Sequence, residues 1–244
     1  MDEAYGGMDA CLRRNIHQVS ERIIKKTAFR DVFEPSRRSA SLQRDIDTLN
    51  AETWTLHQAI RKVSGKSWIV DTSKNTSCAW MSSNLYGSAL KLISLTRDPR
   101  GVAFSMKRVK FKPENRDPSA TLNRARPLAA VRKWVKRHRE IERLATQIDV
   151  TRLTYEEFLH DTPSALAKVF DQEQVEQVLE GLRAASVERP MTHAVAGNPH
   201  RFEKSELVLK LDEEWKTQLG FKDRLIIQAI ASPLMQTYGY RWSG

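Results

Sequence analysis

The chain has little of what a disulfide-rich, metal-clustered or low-complexity protein needs. Its 244 residues include 2 cysteines, 10 glycines and 9 prolines. Two cysteines are too few for a disulfide framework or a cysteine-rich zinc site, and the six histidines add no metal-ligand spacing. We therefore expect no metal cofactor. The glycine and proline content excludes collagen, and a hydrophobic content of 40% excludes wholesale disorder.

Long apolar runs are also lacking. None approaches the roughly 18 residues of a membrane span, and the start Met1–Gly7 is acidic where a signal peptide would be basic and then apolar. These features predict a chain without a membrane segment, in a reducing compartment, and we expect a cytoplasmic location.

Positive charge is concentrated in one stretch. Arg97–Arg139 holds 14 Lys and Arg against 3 Asp and Glu, and the whole chain carries a net charge of +10. Such a stretch is either a solvated helix face with a basic loop or a site for an anion, which could be a phosphorylated small molecule, an acidic polymer or nucleic acid. Nucleic acid is disfavoured, because the sequence has no zinc-finger spacing, no aromatic RNP motif and no glycine-rich RNA-binding tract.

Hydrophobic spacing predicts alternating strands and helices. The predicted helices cover residues 8–30, 40–64, 128–148 and 221–237, with two short ones near 163–170 and 172–184. Short apolar runs predict strands at Trp68–Val70, Leu90–Leu95 and Asp149–Leu153. This order indicates an α/β fold, with a parallel sheet flanked by helices and with ligands beyond the carboxyl ends of the strands.

One strand end carries the chemistry of an anion site. Arg97 comes two residues after the predicted strand, and Asp98 and Pro99 are typical of an N-cap and the first turn of a helix. Free N–H groups at a helix start, together with an arginine, form a phosphate cradle. The alternative is a surface Arg–Asp pair ahead of a proline.

Four segments occur in an order that resembles the sulfotransferases that use 3′-phosphoadenosine 5′-phosphosulfate, in their bacterial form. These segments are Ile69–Lys74, Arg97–Ser105, Arg152–Phe158 and His193–Phe202. Asp212, Trp215 and the terminal Tyr238–Tyr240 also fit the family, and the resemblance covers roughly residues 55–242. It implies a P-loop nucleotide-kinase-like fold in a single domain over residues 1–244, with 3′-phosphoadenosine 5′-phosphosulfate as co-substrate and no metal.

The resemblance also implies roles for individual residues. Arg97 and Ser105 would bind the 3′-phosphate of the nucleotide. Arg100 would support them, or else form a salt bridge to Asp98 or a nearby acid. Tyr155 would contact the adenine, or else cap a strand end.

A later segment would complete the nucleotide site. Gly197, Asn198 and Arg201 would lie on a loop that folds over the nucleotide, or else form an ordinary polar turn. No family motif identifies the acceptor, which could be a glycan, a small alcohol, a phenol or a peptide.

The sequence departs from the family in two places. Residues 1–40 contain no Gly-x-x-Arg-Ser-Gly-type phosphate loop and no strand ahead of it, so we expect a chain truncated at its start or a degenerate relative. The family's histidine after the first of the three strands is replaced by Asp71. Asp71 could act as the base with Lys74 stabilising the leaving oxygen, or the two could be a pair that orders the turn.

Three functions remain in contention on the sequence. The first is sulfuryl transfer to a hydroxyl or amine. The second is a truncated or degenerate relative that binds the nucleotide without catalysis. The third is a basic nucleic-acid-binding module that uses residues 97–139.

Overall fold

The computed structural model describes residues 17–72, 75–107, 126–187 and 210–242. They fall into two compact units. The first contains the described residues of Met1–Leu92 and Glu140–Val150, and the second those of Ile93–Arg139 and Thr151–Gly244. The single domain over residues 1–244 stays a prediction.

Helices dominate the described chain. Residues 17–21 are helical and continue into a π-helical turn, Arg22–Lys26, and single 3-10 turns occupy Pro35–Arg37 and Gly87–Ala89. The strands are β1 (Leu92–Thr96) and β2 (Val150–Thr154). The α-helices are α1 (Phe29–Phe33), α2 (Ala40–Ser64), α3 (Thr76–Tyr86), α4 (Pro99–Lys107), α5 (Pro127–Leu144), α6 (Tyr155–His160), α7 (Thr162–Ala167), α8 (Gln172–Val187), α9 (Trp215–Gln218) and α10 (Phe221–Thr237).

Helix α2 of the first unit confirms its predicted bounds. The Oγ atom of Ser39 accepts a hydrogen bond from the backbone N–H of Leu42, which caps the amino end. Gly65 ends the helix with φ of 64°, in the left-handed region where glycine carries no steric penalty. The buried side chains of this unit form two clusters: Val19, Ile23, Val32, Ile46 and Met81, and Phe29, Phe33 and Leu144.

The helix predicted over residues 8–30 ends at Lys26, and two further elements of the first unit differ from the prediction. Trp68–Val70 is irregular rather than a strand, and Val70 is 83% exposed. A strand requires a hydrogen-bonded neighbour, and within the described ranges the sheet consists of β1 and β2 alone. Helix α3 was not predicted because its apolar residues lack helical spacing. It depends on its cap, where the side-chain oxygen of Asn75 accepts from the N–H of Ser77 at 2.8 Å.

The small sheet confirms the α/β character. β1 and β2 pair in parallel and lie within two residues of the predicted strands. Helices flank the pair, and the P-loop nucleotide-kinase-like fold stays a prediction. Within the described ranges, every helix is too short or too polar to cross a bilayer.

The core of the second unit is built from helices α4, α5, α9 and α10. The apolar stripe predicted for α5 supplies Val131, Trp134 and Val135, all buried. Helix α4 adds Ala103 and Phe104. The other members of this core are Ala130, Trp215, Leu219, Ile227, Ala231, Met235 and Tyr238.

Adjacent isoleucines on α10 provide a test of this core. Ile227 is fully buried, whereas Ile226 is 43% exposed. We expect Ile227→Ala to lower the free energy of unfolding by about 2–5 kcal/mol, because it removes buried methyl groups and leaves a cavity. Ile226→Ala should change it by less than about 1 kcal/mol. Urea titration followed by circular dichroism measures both, and equal losses would contradict this packing.

Candidate functional site

The carboxyl ends of the two strands lie at one edge of the sheet. Arg97 and Asp98 follow β1, and Tyr155 and Glu156 begin the helix that follows β2. Because the strands are parallel, these four residues come together, which is where ligands bind in open α/β sheets. All of them belong to the second unit.

Arg97 is held by contacts to its backbone and to its side chain. The indole Nε1 of Trp134 donates to the Arg97 carbonyl at 3.0 Å. The guanidinium carbon lies 4.8 Å from the centroid of the Tyr155 ring. Nη2 donates to the Asp212 carboxylate at 2.9 Å and to the Asp212 carbonyl at 3.1 Å. Arg97 therefore already carries an anionic partner, which the sequence did not indicate.

Gly101 lets the Arg97 side chain lie close against helix α4. A Cβ atom added at Gly101 would come within 3.1 Å of Arg97 Nε and of Trp215 Cδ1, so a larger residue would crowd both side chains. Ser105 follows Gly101 by four residues and therefore occupies the same face of α4. The Arg97 side chain and position 105 therefore lie on the same side of α4, and their binding of a phosphate stays a prediction.

The Arg100 side chain is buried and contacts other side chains of the second unit. It is buried against Asp98, with Nε to Oδ1 at 2.9 Å and Nη2 to Oδ2 at 2.6 Å. Its Nη1 also donates to the side-chain oxygen of Gln228 at 2.8 Å, and its guanidinium lies 4.5 Å from the Trp215 ring centroid. The salt bridge to Asp98, one of the two alternatives for Arg100, is present, and its support of the nucleotide site stays a prediction.

Asp98 also caps α4, as predicted. Its Oδ1 accepts the backbone N–H of Arg100 at 2.8 Å, the contact expected of an N-cap carboxylate. The same carboxylate thus starts the helix and neutralises the buried arginine. The ion pair with Arg100 and the cap of α4 therefore share one carboxylate.

Glu156 connects both strand ends to the last described segment. One carboxylate oxygen accepts the backbone N–H of Asp98 at 3.1 Å, and the other accepts the Tyr240 hydroxyl at 2.6 Å. Burial, and then the hydrogen bond to Glu156, raise the pKa of Tyr240 far above its usual range, so the phenol stays protonated as a donor. This network was not predicted from the sequence, where its only signal is a glutamate two residues after a strand.

The predicted catalytic residues fall in the first unit or outside the described chain. Asp71 is exposed in the irregular segment that precedes α3, and Lys74 lies outside the described residues. Nearby, His57 Nδ1 and the Tyr86 hydroxyl are 2.7 Å apart. Burial, and secondarily the charge of Asp71, raise the pKa of Tyr86. The role of Asp71 as a base stays a prediction.

The remaining predicted nucleotide contacts, Gly197, Asn198 and Arg201, lie outside the described residues. In the part of the chain that is described, no group of three or more His, Cys, Asp or Glu side chains is arranged to hold a metal ion. Comparison with known proteins gives no family model, no curated protein and no solved structure that matches the chain.

The buried pair at the start of α4 predicts a large stability effect. We expect Asp98→Asn to lower the free energy of unfolding by about 3–5 kcal/mol, because it leaves the Arg100 charge buried without its counter-ion. The matched change Asp223→Asn breaks the exposed pair with Lys107 and should cost less than about 1 kcal/mol. Urea unfolding measures both, and a loss below about 1 kcal/mol for Asp98→Asn would refute the assignment.

Proposed function

We propose that this chain is a sulfotransferase-family protein and that its second unit binds the 3′-phosphate of 3′-phosphoadenosine 5′-phosphosulfate. The observation that carries the proposal is the position of Arg97. Its side chain leaves the end of β1, lies across Gly101 and shares a face of α4 with Ser105. These are the two residues to which the resemblance gives the 3′-phosphate.

The chemistry of this face suits a phosphate monoester. A guanidinium can give a phosphate two parallel N–H donors, and a serine hydroxyl on α4 can add a third. The Tyr155 ring supports the guanidinium from the side and leaves an aromatic surface at the same strand end. Arg100 contributes no free charge here because Asp98 neutralises it.

In the full reaction of this family, an acceptor hydroxyl or amine attacks the sulfur in line. The new bond to sulfur forms as the bond between sulfur and the nucleotide phosphate oxygen breaks, and a base takes the acceptor proton. Asp71 is the proposed base, and Lys74 the proposed cation for the leaving oxygen. Gly197, Asn198 and Arg201 are the proposed loop over the nucleotide.

A non-catalytic nucleotide-binding relative is the second candidate. The exposed, irregular surroundings of Asp71 favour it, because a general base works best where its position is fixed. The phosphate contacts of Arg97 and Ser105 would serve either protein.

Nucleotide binding tests what the two candidates share. We expect adenosine 3′,5′-bisphosphate to bind more tightly than AMP, because only the bisphosphate carries the phosphate assigned to Arg97. Arg97→Ala should weaken bisphosphate binding by on the order of 1.5–3 kcal/mol, the range for a charge-assisted hydrogen bond. Isothermal titration calorimetry gives both affinities.

The matched control is Arg132→Ala, which removes the same charge from an exposed position on α5 in the same unit. It should leave the preference for the bisphosphate intact. Equal affinity for the two nucleotides, or a preference that survives in Arg97→Ala, would rule out the 3′-phosphate site.

Turnover separates the two candidates. We expect the 244-residue chain to bind the donor and to transfer little or no sulfuryl group, since its sequence has no phosphate-loop motif to hold the reacting end. The measurement is the release of label from ³⁵S-labelled donor, with Arg97→Ala as the blank. Transfer that disappears in Arg97→Ala would contradict this expectation and favour the enzyme.

A further inference from the structure

The cation at the centre of the proposed site already binds a carboxylate of its own chain. Arg97 Nη2 donates to Asp212 Oδ2 at 2.9 Å, and the two side chains are 21% and 32% exposed. We propose that Asp212 competes with the nucleotide phosphate for Arg97, an inference that rests on the proposed function. It neutralises Arg97 in the ligand-free protein, and an incoming phosphate has to displace it.

Two further contacts hold the segment that carries Asp212. The Tyr155 hydroxyl donates to the Lys210 carbonyl at 3.1 Å, and Arg97 Nη2 donates to the Asp212 carbonyl at 3.1 Å. Both acceptors are backbone atoms, so neither contact depends on the charge of Asp212. We therefore expect residues 210–212 to stay against Arg97 and Tyr155 when the Asp212 carboxylate is replaced by a neutral group. A substitution at Asp212 can then remove the charge without moving the segment.

Competition follows from the charges. A carboxylate and a phosphate dianion placed on one guanidinium repel each other, so Asp212 has to release Nη2 before a phosphate can take its full set of donors. The measured affinity is then the intrinsic affinity reduced by the fraction of molecules in which Asp212 has let go. The carboxylate is partly exposed, and its Oδ1 also accepts the backbone N–H of Glu214 at 3.3 Å, so Oδ2 can turn from Arg97 toward water while the segment stays folded.

The device would also set selectivity. A monovalent anion gains too little from Arg97 to replace a carboxylate already within hydrogen-bond distance, whereas a phosphate dianion brings twice the charge. Asp212 thus lowers the affinity of Arg97 for small monovalent anions such as chloride or acetate.

Asp212→Asn tests the proposal, because it removes the charge and keeps the side-chain shape and the carbonyl contact. We expect the affinity for adenosine 3′,5′-bisphosphate to rise about tenfold by calorimetry at constant ionic strength, as the competing state is lost. The gain should vanish in the double variant Arg97→Ala/Asp212→Asn, because the two residues act through one contact. Asp212→Ser should reproduce the gain.

The control is Glu213→Gln, which removes the same charge one residue later. Glu213 is half exposed and pairs with Lys216, so this change should alter the affinity less than twofold. An equal rise in Glu213→Gln would show a general charge effect and overturn the competition.

Two other outcomes separate the inference from the proposed function. Unchanged or weaker binding in Asp212→Asn, beside Arg97-dependent binding in the wild type, would overturn the competition alone. Absence of bisphosphate binding in both proteins would overturn the nucleotide site and the competition together.

Discussion

The second unit depends on one buried ion pair, between Asp98 and Arg100. Burial makes the pair obligatory, since either charge left alone in an apolar setting would be far more costly than the intact pair. The Asp98 carboxylate starts helix α4, and Arg100 reaches Gln228 of α10 and the ring of Trp215 in α9. Helices α4, α9 and α10 are thereby connected to one another close to Arg97, the residue that follows β1.

Arg97 and Arg100 carry the same charge, but their positions relative to helix α4 suit them to different roles. Arg100 lies inside the first turn of α4, buried and saturated by its carboxylate and amide partners. Arg97 precedes the helix, so its side chain runs along the outside of α4 to a partly exposed carboxylate. A saturated, buried arginine serves stability. A partly exposed one whose partner can be exchanged is suited to binding an anion.

Glu156 and Tyr240 hold the carboxyl ends of the two strands next to each other. Glu156 accepts from the backbone of Asp98 and from the Tyr240 hydroxyl, so the ends of β1 and β2 and the segment after α10 share one carboxylate. The Tyr240 hydroxyl lies 3.3 Å from the Thr96 carbonyl as well. Any ligand at Arg97 would therefore meet a preorganised edge rather than a loose turn.

Local patterns in the chain specify the elements whose signals are short in range. The apolar spacing of α2, α5 and α10 and the Asp98 cap depend only on residues within a few turns. The structure has these elements at the predicted places, although α5 ends at Leu144 rather than at residue 148. Tertiary structure decided the rest. Trp68–Val70 has strand-forming residues but belongs to no sheet among the described residues, and Asp212 meets Arg97 across 115 positions of chain. Pairings of that range depend on how the whole unit packs, and no local pattern records them.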